Sequence, residues 1–135
     1  LKIFTFIITS YFAYSFETAY AAVSFTCEYT HMAVLKDNYR KFSAHGMRIE
    51  KNQKKLVLRF LIDKKAYLIG NNGTEVVKFS SSKSGLITLI ETTPTGNKTI
   101  TSIDLLQKTS VHSRHILMPG TLLPSQYYGT CTYKR

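Results

Sequence analysis

The chain has 135 residues, of which 44% are hydrophobic and 19% charged, and its formal net charge at pH 7 is +10. This length suits one domain with a single core, and the composition excludes both a disordered chain and a collagen-like repeat. The positive charge predicts attraction to anionic partners and constrains neither fold nor mechanism.

The N-terminal segment has the pattern of a signal peptide. Lys2 supplies a positive charge, residues 3–16 form an apolar run, and Ala19-Tyr20-Ala21 has the small-x-small pattern of a signal peptidase site. We therefore predict a signal peptide over residues 1–21 and one basic β-domain over residues 22–135. The apolar run is shorter than the roughly 20 residues of a membrane-spanning helix, so no transmembrane segment is predicted in the mature chain. An uncleaved anchor or a buried N-terminal helix is the alternative.

Two cysteines, Cys27 and Cys131, lie near opposite ends of the predicted mature domain. An exported chain meets an oxidising compartment in which thiols pair, so we predict one disulfide between them. Closing a loop of this length stabilises a domain by about 4 to 5 kcal/mol when the effect is ascribed to chain entropy. Two separate thiols or an intermolecular bond are the alternatives.

The first elements of the predicted mature chain are a strand, a short helix and a loop. Apolar and polar residues alternate over residues 23–29, which is the pattern of a half-buried strand. The polar residues 50–55 predict a loop. Between these two segments, spacings of three and four predict one short helix whose apolar face consists of Met32, Leu35, Tyr39 and Phe42.

The rest of the chain predicts short antiparallel strands. Residues 65–79 predict a hairpin around Asn71-Asn72-Gly73, whose residues tolerate positive φ. Residues 85–104 predict a second hairpin, with its turn at Thr93-Pro94-Thr95-Gly96. Further strands are predicted over residues 56–62, 109–118 and 126–133. The expected fold is mainly β: a small antiparallel barrel or sandwich of about eight short strands, with one short helix and an end-to-end disulfide.

Positive charge is concentrated in one part of the chain. Residues 36–65 hold ten Lys and Arg against three Asp and Glu. Such a basic face attracts anionic partners, namely lipid head groups, envelope polysaccharide or an acidic protein, with nucleic acid placed after these. A solvated surface that only keeps the protein soluble is the alternative. The predicted ligand-binding residues are Arg48, Lys51, Lys54, Lys55, Arg59 and Arg114.

Val111-His112-Ser113-Arg114-His115 is the densest cluster of chemically functional side chains in the sequence. On a strand, His112 and Arg114 share one face and His115 lies on the other. Two histidines beside a cation suit a small secreted nuclease, in which one imidazole removes a proton, the other donates one, and Arg114 stabilises the developing charge. The chain has no metal-ligand spacing, nucleophile elbow or phosphate-binding glycine loop. We therefore predict no metal and no cofactor, and we rank a non-enzymatic role above the nuclease.

The C-terminal segments carry a resemblance. His112-Ser113-Arg114-His115, followed by Ser125-Gln126-Tyr127-Tyr128-Gly129-Thr130-Cys131, resembles small uncharacterised exported proteins of proteobacteria. This resemblance implies bacterial export and brings no particular activity. A looser similarity is to periplasmic inhibitors of C-type lysozyme, which are small antiparallel barrels with terminal cysteines; Pro94-Thr95-Gly96-Asn97 is a faint echo of their inhibitory loop.

The charge decides how these functions are ranked. A basic protein repels a basic lysozyme during encounter, so the inhibitor hypothesis requires an acidic target enzyme. The leading hypothesis is an exported, periplasmic or secreted, non-enzymatic domain that binds an anionic envelope or host component. A small secreted nuclease and an enzyme inhibitor are the alternatives.

Overall fold

The computed structural model describes residues 21–35, 47–70, 73–118 and 121–135. Residues 1–20, which hold nearly all of the predicted signal peptide, lie outside the described residues. The described chain forms eight strands, β1 Val23–Leu35, β2 Met47–Ile62, β3 Ala66–Gly70, β4 Gly73–Ser81, β5 Leu86–Thr92, β6 Lys98–Asp104, β7 Thr109–Met118 and β8 Thr121–Lys134.

The strands form a closed antiparallel barrel in which each strand pairs with the next and β8 pairs with β1. The predicted barrel is therefore confirmed, and so are both predicted hairpins: Gly70 pairs with Gly73 across the first turn, and Thr92 pairs with Lys98 across the second. Closure pairs the first strand with the last, so the sheet has no free edge.

The predicted disulfide between Cys27 and Cys131 is confirmed. The two residues are register partners on β1 and β8, with their Cα atoms 4.0 Å apart, and both side chains are buried. The bond therefore links the two strands that close the barrel. A disulfide is compatible with a periplasmic or extracellular location.

The predicted short helix is wrong where the structure describes it. Met32 and Leu35 belong to strand β1, and the described residues contain no helix. Tyr39 and Phe42 lie outside the described residues. The cause is strand pairing, which overrides the apolar spacing: Met32 pairs with both β2 and β8, and Leu35 pairs with β2. A bulge between Tyr29 and His31, where the β1–β2 and β1–β8 registers both shift, precedes these residues.

The predicted loop over residues 50–55 is also wrong, because this segment is part of strand β2. Its pairing is irregular: Leu56 is opposite Tyr29 and Lys51 is opposite His31, so several β2 residues face a short stretch of β1. Within this stretch, Asn52 Nδ2 donates to the Tyr29 carbonyl at 3.0 Å. Polar side chains of this stretch line the outer chamber described below.

The core fills the interior of the barrel through the alternation of side chains along each strand. Gly129 has a special place on this inner face. A Cβ there would lie 2.7 Å from Tyr29 Cα and would collide with the Glu28 carbonyl, so only glycine lets β1 and β8 approach at the bulge. The buried apolar side chains of the core are Phe25, Cys27, Tyr29, Phe60, Ala66, Val77, Ile87, Leu89, Ile103 and Cys131.

Candidate ligand-binding cavity

The core leaves an inner cavity of ≈ 220 Å³. Strands β2, β3 and β4 give it an apolar wall, and strands β5, β6 and β7 give it a mainly polar wall. A closed eight-stranded barrel is about wide enough for side chains alone or for one small ligand. The apolar wall consists of Leu56, Leu58, Phe60, Leu68 and Val77, and the opposite wall of Leu89, Glu91, Thr99, Thr101, His112 and Arg114.

Strand register places the polar side chains in two rows. Thr99 pairs with Glu91 on one side and with Arg114 on the other. One step deeper, Thr101 pairs with His112. Positions two residues apart on a strand face the same way, so both rows project into the cavity. The polar wall is therefore a continuous set of hydrogen-bonding groups across three adjacent strands.

His112 is a buried, neutral imidazole. Its side chain is 5% exposed, and Nδ1 is 2.8 Å from Thr101 Oγ1. The ring also packs against Tyr29 and Tyr127, with centroids 5.7 and 6.1 Å away. Burial, and secondarily the positive charge of Arg114, lowers the pKa of His112 to about 4. The imidazole is therefore uncharged near neutral pH and offers hydrogen bonds rather than charge.

A series of hydrogen bonds fixes Tyr29, which packs against the His112 ring. Tyr29 Oη is 2.8 Å from Ser110 Oγ, which donates to the Ser102 carbonyl at 2.9 Å. Burial raises the pKa of Tyr29 to about 12, despite its hydrogen bonds to Ser110 and Thr101. The phenol therefore stays protonated, and these hydrogen bonds hold the aromatic pair Tyr29 and His112 in a fixed arrangement.

Arg114 is the exceptional residue of the polar wall. Its Nε is buried without a hydrogen-bond partner. Within the described part of the chain, no carboxylate forms an ion pair with its guanidinium. Buried polar atoms in native proteins are nearly always paired, and an unpaired charged donor is costly. Arg114 therefore places a positive charge at the lining of a cavity and has one donor without a partner.

A wider and more open outer chamber of ≈ 580 Å³ adjoins the inner cavity. The two spaces share Leu56 and Arg114, so Arg114 lies where they meet. The outer chamber is basic on one side. Its other lining residues are Met32, Glu50, Lys51, Asn52, Lys54, Lys55 and Tyr127.

The structure brings together four of the six predicted ligand-binding residues. Lys51, Lys54, Lys55 and Arg114 line the outer chamber, although Lys55 Nζ also pairs with Glu28 Oε2 at 2.7 Å. Arg59 stands apart from this group, since it is exposed between the inward-facing Leu58 and Phe60. Arg48 lies in β2 opposite Val34, and its side chain lies outside the described part of the structure.

The two histidines of the nuclease hypothesis lie on opposite faces of β7. His112 lines the inner cavity, whereas His115 is exposed on the outer surface opposite Lys98. They therefore do not meet in one cleft, and acid and base catalysis by this pair has no shared site. Among the described residues, no group of three or more His, Cys, Asp and Glu side chains is placed to hold a metal ion.

Sequence reasoning missed Glu91, Thr99 and Thr101. The only signal available was a run of threonines on a predicted strand, and an inward threonine cannot be told from an outward one until the register is known.

In the described part of the chain, no helix is long and apolar enough to cross a membrane. Comparison with known proteins found no matching family model, curated protein or solved structure.

Proposed function

We propose that this domain binds a small anionic amphiphile, with its apolar part in the inner cavity and its anionic group at Arg114. One observation carries the proposal: Arg114, whose buried Nε has no hydrogen-bond partner, lies where the inner cavity meets a lysine-lined chamber. The predicted anionic envelope or host component becomes, on this proposal, a molecule small enough to enter the barrel.

The guanidinium supplies the recognition. Its planar N–H groups bind a carboxylate or phosphate in a fork, and such charge-assisted hydrogen bonds are about twice as strong as neutral ones. The low dielectric of the barrel strengthens this interaction.

The apolar wall supplies much of the affinity. Each buried methylene group contributes about 0.8 kcal/mol. The inner cavity, of ≈ 220 Å³, is small, so it accommodates a short apolar chain. Shorter acyl chains therefore fit better than long ones.

The lysines of the outer chamber attract the anionic ligand towards Arg114. Lys51 and Lys54 are exposed, and they raise the local concentration of anions near Arg114. Their contribution is long-ranged and falls with salt, whereas a contact with the partly buried Arg114 is screened less. The predicted export, with residues 1–21 as a signal peptide and a periplasmic or secreted destination, belongs to this proposal, and the disulfide supports it.

Calorimetric titration of the disulfide-bonded protein with octanoate, octanol and octylammonium tests the proposal. We expect octanoate to bind and the other two to bind at least tenfold more weakly, because a hydrogen bond to a charged group is worth about 1.5 to 3 kcal/mol. Arg114→Gln is expected to remove that preference. Arg59→Gln, the same change at an exposed position of β2, is the matched control and should leave octanoate affinity unchanged.

Two results would count against the proposal. Wild-type protein that binds octanol as tightly as octanoate would show that Arg114 does not select an anion. If Arg114→Gln and Arg59→Gln lowered octanoate affinity equally, the effect would come from net charge and not from a specific site at Arg114.

A second candidate, inhibition of an acidic enzyme, rests on the turn of the second hairpin. Thr93 N donates to the Asn97 carbonyl at 2.9 Å, and Asn97 N donates to Thr93 Oγ1 at 3.1 Å. Asn97 Oδ1 also accepts from Leu117 N at 2.9 Å. The turn thus presents Pro94 and Gly96 on a fixed backbone, and a pre-ordered loop binds with a small entropic cost. Loss of inhibition in a Pro94→Ala variant, measured against an acidic hydrolase, tests this candidate.

A further inference from the structure

Two side chains of opposite charge project from the same wall of the inner cavity. Glu91 on β5 and Arg114 on β7 both pair in register with Thr99 on β6. Their backbones are therefore separated by two strand spacings, roughly 10 Å. Among the residues that the structure describes, neither side chain takes part in an ion pair.

Glu91 has a partner for only one of its carboxylate oxygens. Thr99 Oγ1 donates to Glu91 Oε2 at 2.9 Å. Within the described chain, Oε1 accepts no hydrogen bond. An ionised carboxylate has about four acceptor sites, so a half-buried Glu91 that is bound by a single hydroxyl can accept further hydrogen bonds.

The wall therefore presents an acceptor and a donor with unused capacity, held apart by a strand. Direct pairing of Glu91 with Arg114 would satisfy both, but the structure keeps them apart. A purely anionic ligand at Arg114 would satisfy one residue and would be repelled by the other. A ligand that also carries a donor would satisfy both.

We infer that the ligand carries, besides its anionic group, an amino or hydroxyl group that donates to the Glu91 carboxylate. The inference rests on the proposed function and narrows its ligand class from simple anions to amino- or hydroxy-substituted acids with an apolar chain. Thr99, between the two charged residues, holds the Glu91 carboxylate in place and acts as a positioning residue.

The test compares octanoate with its 2-hydroxy, 2-amino and 4-amino derivatives by calorimetric titration of the disulfide-bonded protein. In the wild type, we expect at least one derivative to bind about tenfold more tightly than octanoate, as a hydrogen bond to a charged group allows. The hydroxy and amino arms distinguish the two donors. The positions of the amino group distinguish two spacings between donor and anion.

Glu91→Gln makes the result specific, because it removes the charge with little change of size. The inference predicts opposite effects: the preferred derivative should bind about tenfold more weakly to the variant, whereas octanoate should bind equally well or more tightly. Thermal melting of the variant checks that the barrel is intact.

The outcomes separate this inference from the proposed function. Octanoate binding without preference for any derivative, or a preference that persists in Glu91→Gln, would overturn the inference and leave the proposed anion site standing. Failure of all four acids to bind the wild-type protein would overturn both.

Discussion

Acidification should destabilise this barrel through one histidine. Burial is the main cause that lowers the pKa of His112 from its usual 6.5 to about 4. A group whose pKa is depressed on folding binds more protons when unfolded, so the stability it allows is complete above the unfolded pKa and is lost as pH falls towards the folded pKa. The relevant window is therefore from about pH 6.5 down to about pH 4.

The magnitude follows from the shift. At about 1.4 kcal/mol for each pKa unit, the difference between 6.5 and about 4 corresponds to about 3 kcal/mol of unfolding free energy. The imidazole is only 5% exposed, so solvent screening does not much reduce this figure. Since small domains have about 5 to 15 kcal/mol of stability, the loss should be large.

Urea unfolding at several pH values between about 7 and 4 measures this dependence. His112→Asn keeps a polar atom near the position of Nδ1, 2.8 Å from Thr101 in the wild type, and removes the titration. The variant should be less stable at pH 7 and should lose less stability on acidification than the wild type, by about 3 kcal/mol. His115→Asn, at an exposed position of the same strand, should keep the wild-type slope. Parallel curves for wild type and His112→Asn would refute the argument.

Two further predictions concern the seam between β1 and β8. A Cys27→Ser, Cys131→Ser double variant should lose about 4 to 5 kcal/mol of unfolding free energy, since the bond joins residues 104 apart in sequence; urea unfolding measures this loss, and an unchanged midpoint would contradict it. Gly129→Ala should lose about 1 to 3 kcal/mol, because its Cβ would lie 2.7 Å from Tyr29 Cα. Gly70→Ala, whose Cβ would meet its nearest neighbour at 3.6 Å, is the control and should melt close to the wild type.

Much of the barrel could be predicted because its signals are local. The turn-type sequences Asn71-Asn72-Gly73 and Thr93-Pro94-Thr95-Gly96 predict two hairpins, and two cysteines allow one intramolecular pairing. The helix prediction failed because strand pairing is not visible in a local pattern. Met32 and Leu35 are three residues apart, as on one face of a helix, but both pair with β2.

The cavity could not be predicted, because its residues meet only through register. Glu91 and Arg114 come from strands separated by β6. The turns on either side of β6 determine the registers that place Thr99 opposite both residues. The second of these turns is fixed by Asp104, whose Oδ1 accepts from Leu106 N at 2.8 Å and from Gln107 N at 3.1 Å.

A slip of one residue at the β6–β7 turn would reverse which faces of β7 are buried. His115 and Ser113 would then face the interior, and Arg114 would join the basic outer surface. The sequence pattern predicts that His112 and Arg114 share a face, and this is confirmed, but alternation alone cannot say which face is inward. The inward orientation follows from the pairing of Ser110 with Gly129, where β8 has no side chain and Ser110 Oγ can reach Tyr29 Oη. The same glycine that lets the seam close therefore also helps to place Arg114 inside the barrel.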